Sequence, residues 1–145
     1  MNQGKIQGYA KQLERLLPSL IKASKKLEEK RLGTYSLTLP QFFAMMVLEN
    51  NGSCMMKELG EELGLSLGTV TGIVDRLIRE GLAERFPDAE DRRVVRARLS
   101  EKGRKLMRTI HEERRRALAR RLQNLGENEL ENLMTLITKI SQLFE

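Results

Sequence analysis

The sequence predicts a mainly α-helical chain built around a helix-turn-helix, followed at once by a small two-stranded β-wing. Three observations predict it. An amphipathic run carrying Met55 or Met56, Leu59 and Leu63 stops at Gly64, where a left-handed residue can end a helix. A second run opens at Ser66, a helix-capping residue, and places Val70, Ile73, Val74, Leu77 and Ile78 on one stripe. After Gly81, two short strand-like runs at 82–86 and 94–99 flank the polar loop Pro87-Asp88-Ala89-Glu90-Asp91-Arg92-Arg93. In the second run Val95, Ala97 and Leu99 alternate with Val94, Arg96 and Arg98. Ser100 then caps a new helix, with Glu101 in its first turn.

The flanking elements follow from the same signals. Residues 5–32 carry a helical stripe of Ile6, Tyr9, Ala10, Leu13, Leu16, Leu17, Leu20, Ile21 and Leu27. Pro18 interrupts it, which predicts either a kink or the meeting of two helices. Residues 31–36 read as a loop. Thr38-Leu39-Pro40-Gln41 has capping-box spacing with proline in the first turn. The helix it opens, 39–50, is apolar nearly all round and is expected to be a buried floor beneath the helix-turn-helix. Asn50-Asn51-Gly52 stops it. A long helix is expected from about Gly103 to Asn124. Gly126 restarts the chain into a last helix striped with Leu130, Leu133, Met134, Ile137, Ile140, Leu143 and Phe144. The first and last stripes are too rich to stay exposed, so each asks for a partner surface. Packing within one chain is the alternative.

Composition bounds the function. A chain of 145 residues is read as one domain with a real core. No run of about 18 apolar residues suggests a membrane span, and no apolar leader precedes the first helix. One cysteine and one histidine argue against a zinc site, and a lone cysteine fits a reducing, cytoplasmic setting. No phosphate-binding glycine loop or catalytic triad pattern is present, so neither an enzyme nor a cofactor is expected. The net charge of +6 is unevenly spread. Residues 53–103 hold nine basic and ten acidic groups, whereas 104–122 hold eight and two. The basic run Arg104–Arg121 can attract polyanions or simply be a solvated helix face.

The face of the second helix opposite its apolar stripe is unusual for a solvated surface. It reads Gly68, Thr69, Thr71, Gly72, Asp75, Arg76 and Arg79. Its first two turns are small and uncharged, so a flat partner can approach closely. Hydroxyls of Ser66, Thr69 and Thr71 can meet base edges, and Arg76 can reach a phosphate or a guanine. The plainer alternative is an amphipathic helix pair inside a bundle.

The run Leu63-Gly64-Leu65-Ser66, then Val70-Thr71 to Leu77, then Gly81-Leu82, resembles the MarR family of bacterial transcription regulators. The most specific part is Asp88-Ala89-Glu90-Asp91-Arg92-Arg93 through Leu99-Ser100-Glu101-Lys102-Gly103. The family's wing signature is Asp-x-Arg, a short spacer, then Leu-Thr or Leu-Ser, and Asp91, Arg93, Leu99 and Ser100 fit it. The resemblance implies a single MarR-like domain, 1–145, with dimerisation helices at 1–35 and 104–145 around a reading unit at 36–103. It implies a homodimer, here read as a repressor, on pseudo-palindromic double-stranded DNA. DNA contacts are expected from Ser66, Gly68, Thr69, Thr71, Gly72 and Arg76, and from Asp91, Arg92 and Arg93 on the wing. Arg93 would enter the minor groove, oriented by Asp91, with Arg92 the alternative tip residue. A small, often phenolic or otherwise aromatic ligand would release the DNA. Two rival readings are a winged helix that binds proteins without specific DNA binding, and a thiol switch at Cys54. The cysteine of the peroxide-sensing branch lies in the first helix, where this chain has none. Cys54 is expected at the start of the third helix, as apolar filler.

Overall fold

The computed structural model describes residues 2–144. In chain order it contains α1 (Gln3–Gly33), α2 (Leu39–Asn51), β1 (Cys54–Met55), α3 (Met56–Leu63), α4 (Leu67–Arg79), β2 (Ala83–Pro87), β3 (Val95–Leu99), α5 (Glu101–Leu122) and α6 (Glu127–Gln142). This is the winged helix-turn-helix that the sequence predicts, with one addition. The short strand β1 joins the wing hairpin, giving a three-stranded antiparallel sheet of order β1-β3-β2. Ala97 sits at its centre, opposite Cys54 on one side and Arg85 on the other. The chain divides into two compact units, Met1–Arg104 and Lys105–Glu145.

In the first unit, local chemistry sets each boundary. The Thr38 hydroxyl accepts from the Gln41 N–H at 3.4 Å, and the Gln41 side chain accepts from the Thr38 N–H at 2.8 Å. That reciprocal cap explains why Gln41 can be buried: its carbonyl is satisfied. Gly64 adopts φ 65°, and the Leu65 N–H turns back to the Gly60 carbonyl at 2.9 Å, closing α3. Ser66 caps α4 by accepting from the Thr69 N–H at 3.3 Å. Among the glycines, Gly103 makes the tightest approach. A Cβ there would lie 2.0 Å from the Leu82 carbonyl oxygen, so the start of α5 rests on the backbone that enters β2. Ser100 completes this corner, its hydroxyl donating to the Gly81 carbonyl and accepting from the Gly103 N–H.

The core of this unit joins Phe42, Ala44, Met45 and Leu48 of α2, Leu59 of α3, and Val70, Val74 and Leu77 of α4, all at most 1% exposed. Helix α2 packs against α3, α4 and β3, which makes it the floor the sequence anticipates. Phe43 is the correction, for it is 47% exposed, so α2 is not buried all round. Another correction concerns α1, which runs unbroken through Pro18 to Gly33, so two helices do not meet there and the loop shrinks to a turn at 34–36. Its interior N-terminal stripe is uncovered: Ile6, Tyr9, Leu13, Leu16, Leu20 and Ile21 are all about half to two-thirds exposed. Val95, at the distal end of β3, is also exposed, whereas Ala97 and Leu99 are buried.

In the second unit, Met107 and Ile110 of α5 are fully buried and Ala117 nearly so. The α6 stripe is not: Met134, Ile137 and Ile140 are each more than half exposed. Among the described residues, no helix is long and apolar enough to cross a membrane, and no cluster of side chains could hold a metal ion.

Cys54 does not begin a helix. It lies in β1, 1% exposed and paired with Ala97. Burial raises its thiol pKa, and the Glu58 and Glu62 carboxylates raise it further, outweighing Arg96 and a hydrogen bond from Asn51. A neutral, enclosed thiol is a poor nucleophile. The native protein at pH 7.5 is therefore expected to react with a thiol reagent only after denaturant is added, and Cys54→Ser to leave peroxide sensitivity unchanged. Rapid labelling of the native protein would contradict this.

Candidate nucleic-acid interface

Burial of Val70, Val74 and Leu77 fixes the rotation of α4 about its axis, and with it the face turned to solvent. Gly68, Thr69, Gly72, Asp75, Arg76 and Arg79 are exposed there, and Thr71 is half-buried at its margin. At Gly68 and Gly72 nothing beyond the adjoining helix backbone and chain neighbours lies within 4 Å of where a Cβ would stand, and neither has a positive φ. The chain's own packing therefore does not require either glycine. Each costs the helix roughly 0.5–1 kcal/mol relative to alanine. The result is a smooth, uncharged strip one turn long at the leading end of α4.

The hydroxyls bordering this strip are pre-engaged in part. Ser66 Oγ and Thr69 Oγ1 lie 2.8 Å apart in a shared hydrogen bond. Thr71 Oγ1 donates to the Leu67 carbonyl at 2.8 Å, which fixes its rotamer and leaves its oxygen as an acceptor. At the far end of the strip, Arg76 makes a loose 3.4 Å ion pair with Glu80, and both are partly solvated. Asp75, an anion on this face, is likewise paired, with Arg85 of β2 at 2.6 Å. That bridge also ties α4 to the wing.

The wing tip is organised by two aspartates. Asp88 Oδ2 accepts from the N–H groups of Glu90 and Asp91, at 3.1 and 3.2 Å. Those two bonds, the Glu90 one first, hold the Asp88 carboxyl below its ordinary pKa. Asp91 Oδ1 accepts from both the backbone N–H and Nε of Arg93, at 3.0 and 3.2 Å. The Arg93 side chain is nonetheless 92% exposed. Asp91 thus aims the guanidinium through Nε and leaves its outer edge to solvent. Arg92 is exposed, and its side chain makes no hydrogen bond or ion pair among the described residues.

The other basic groups of the hairpin are held by partners, Arg96 half-buried and Arg98 still exposed. Arg98 lies 4.4 Å over the Phe86 ring and bonds Glu84 at 2.9 Å. Arg96 bonds Ser53 through Nε and Nη2, at 3.1 and 3.2 Å. Arg104, first of the basic run in α5, bonds the Leu99 carbonyl and Glu101. The Arg96–Ser53 contact is not legible in the sequence, because Ser53 lies 43 residues from Arg96 and β1 has only two residues. A separate cavity of about 510 Å³ opens beside Lys25, Glu29, Leu37, Leu39, Pro40 and the exposed Phe43.

Comparison with known proteins agrees with this geometry. The MarR family model matches residues 37–95, from the residue before the α2 cap to the start of β3. The solved structure of a MarR family protein from Bacillus stearothermophilus is 32% identical, with a TM-score of 0.87 over 99% of this chain and 98% of that one. YfiV of Bacillus subtilis (strain 168), an uncharacterized HTH-type transcriptional regulator, is 31% identical over 109 residues, 75% of this chain and 68% of that protein. A mutant MarR from E. coli, solved in complex with operator DNA, is 27% identical, with a TM-score of 0.69 over 88% of this chain and 92% of that one. The helix-turn-helix, the wing and the flanking helices all recur across nearly the whole length of a MarR family structure, and this chain belongs to the MarR family of transcriptional regulators.

Proposed function

We propose that this regulator is a homodimer that binds a specific double-stranded DNA operator and represses transcription in the cytoplasm until a small ligand releases it. The leading strip of α4 carries this reading. Two glycines in open space, flanked by oriented hydroxyls and cleared of free anions, suit close approach to base edges in a major groove. In this reading Ser66, Gly68, Thr69, Thr71 and Gly72 face bases, and Arg76 a base or phosphate. Arg93, aimed by Asp91, enters the minor groove, with Arg92 beside it on the phosphates. The MarR of E. coli in complex with operator DNA supports the same mode of use.

The dimer rests on the uncovered stripes of α1 and α6. Leu16, Leu20 and Ile21 on α1, and Met134, Ile137 and Ile140 on α6, expose more apolar surface than a soluble monomer tolerates. The domain reading follows: residues 1–35 and 104–145 dimerise, and 36–103 read DNA. A two-fold dimer matches two half-sites about one helical turn apart. In this reading the ligand occupies the cavity beside Phe43, whose mainly apolar walls suit a small aromatic molecule, with Lys25 and Glu29 ion-paired at 3.9 Å on its edge. Burial of Cys54 disfavours the thiol switch.

Ile137→Asp tests assembly. Sedimentation should show twice the 16.7 kDa chain mass for the parent and a single chain for the variant, with tight DNA binding lost together with the dimer. A monomeric parent would sink the palindrome argument. Gly72→Ala tests the strip, because its two effects have opposite signs. Thermal stability should rise by about 0.5–1 kcal/mol. Affinity for DNA selected from a random pool should fall at least roughly tenfold, since an added methyl group blocks close approach. Unchanged DNA affinity would remove α4 as the reading helix.

A further inference from the structure

The wing-tip arginine is supported from far below the tip. Ser53 lies between the end of α2 and β1, at the base of the sheet. Its Oγ and its carbonyl oxygen both accept from Arg96, fixing the guanidinium in two places. The same guanidinium reaches Asp88 Oδ1 through Nη1 at 3.5 Å. Asp88 uses its other oxygen, Oδ2, for the two N–H groups that shape the tip. One of those N–H groups belongs to Asp91, whose carboxylate holds Arg93. Side chains of Arg96 and Asp88 are each 24% exposed, whereas that of Arg93 is 92% exposed. The first pair is therefore placed to hold and the last to reach.

We infer that Arg96 and Asp88 are positioning residues that carry the placement of Arg93 from Ser53 at the sheet base to the wing tip. The relay has four links: Ser53 to Arg96, Arg96 to Asp88, Asp88 to the backbone of residues 90–91, and Asp91 to Arg93. Each Asp88 oxygen has its own task. Backbone bonds from the Asp88 N–H to the Val94 carbonyl and from the Val94 N–H to the Asp91 carbonyl close the loop, at 2.8 and 3.0 Å, and the Asp88 carboxylate adds the link from residues 90–91 to Arg96. The inference rests on the proposed use of Arg93 against DNA.

The sign of one substitution tests it. Asp88→Ala removes a negative charge close to the proposed DNA surface. Charge alone would then tighten binding to a polyanion. Loss of positioning weakens it instead, by roughly tenfold at low salt if one charge-assisted contact is lost. Asp88→Asn keeps an acceptor for the backbone N–H groups and loses the ion pair, so its affinity should fall between parent and alanine variant. Ser53→Ala changes no charge and should lower affinity a few-fold. In the background of Arg93→Ala, neither Asp88→Ala nor Ser53→Ala should lower affinity further. Thermal midpoints measured on the same proteins identify any variant that fails to fold, and Ser53→Ala serves if Asp88→Ala does. Tighter binding by Asp88→Ala, or losses that add to that of Arg93→Ala, would overturn the relay while leaving the wing contact intact. An Arg93→Ala protein that binds like the parent would overturn the wing contact itself, and the relay with it.

Discussion

Everything that α4 can present depends on the burial of its inner stripe. Val70, Val74 and Leu77 are inaccessible to solvent, and burying each such side chain contributes about 1.5–3 kcal/mol. Turning α4 about its axis would expose that stripe, so the helix has one stable rotation. That rotation puts Gly68, Thr69 and Gly72 outward. The cap at Ser66 and the left-handed Gly64 then fix where the outward face begins. Helix α2 makes this possible by packing against both α3 and α4. Gly103 sets the other end, because only a residue without a side chain lets α5 start against the Leu82 carbonyl.

Ion pairing then fixes where the cations of the hairpin and of α4 are held. Residues 53–103 hold nine basic and ten acidic groups, so this segment is not an undifferentiated basic patch. Asp75 is matched by Arg85, Glu84 by Arg98, and Asp88 by Arg96. Surface pairs of this kind contribute little stability individually. Their effect here is geometric: they commit the inner arginines to the hairpin. Arg92 and Arg93 at the tip and Arg76 and Arg79 on α4 are left at the exposed edge. The arrangement separates a smooth strip for close contact from a long cation on a held tip.

Features decided within a few residues were legible in the sequence. The Thr38–Gln41 box, the Gly64 stop, the Ser66 and Ser100 caps and the α4 stripe are all local, and each occurs as read. The wing hairpin was legible because its turn residues and alternation are local too. Features decided across the chain were not. Strand β1 is two residues long and exists only because Cys54 and Met55 pair with Ala97 and Arg96. The inward commitment of Arg96 needs Ser53, and no periodicity links them. Helix α1 continues through Pro18 because proline removes one donor while the turns on either side still propagate. The exposure of Phe43 was hidden by the uniformly apolar pattern of α2. Most residues of the α4 face and the wing tip are exposed, with Thr71 and Asp91 half-buried, but their hydroxyl and carboxylate partners are visible only in three dimensions.

The central claim is that two copies of α4 lie in successive major grooves on one face of a duplex while two wing tips lie in the flanking minor grooves. Hydroxyl-radical footprinting on DNA selected by the full-length protein tests this directly, because the radical reports access to the backbone along the grooves. The account predicts two symmetric protected segments about one helical turn apart, with outer minor-groove protections that vanish for Arg93→Ala while the inner ones persist. A single unsymmetric segment, or outer protections unchanged by Arg93→Ala, would contradict it.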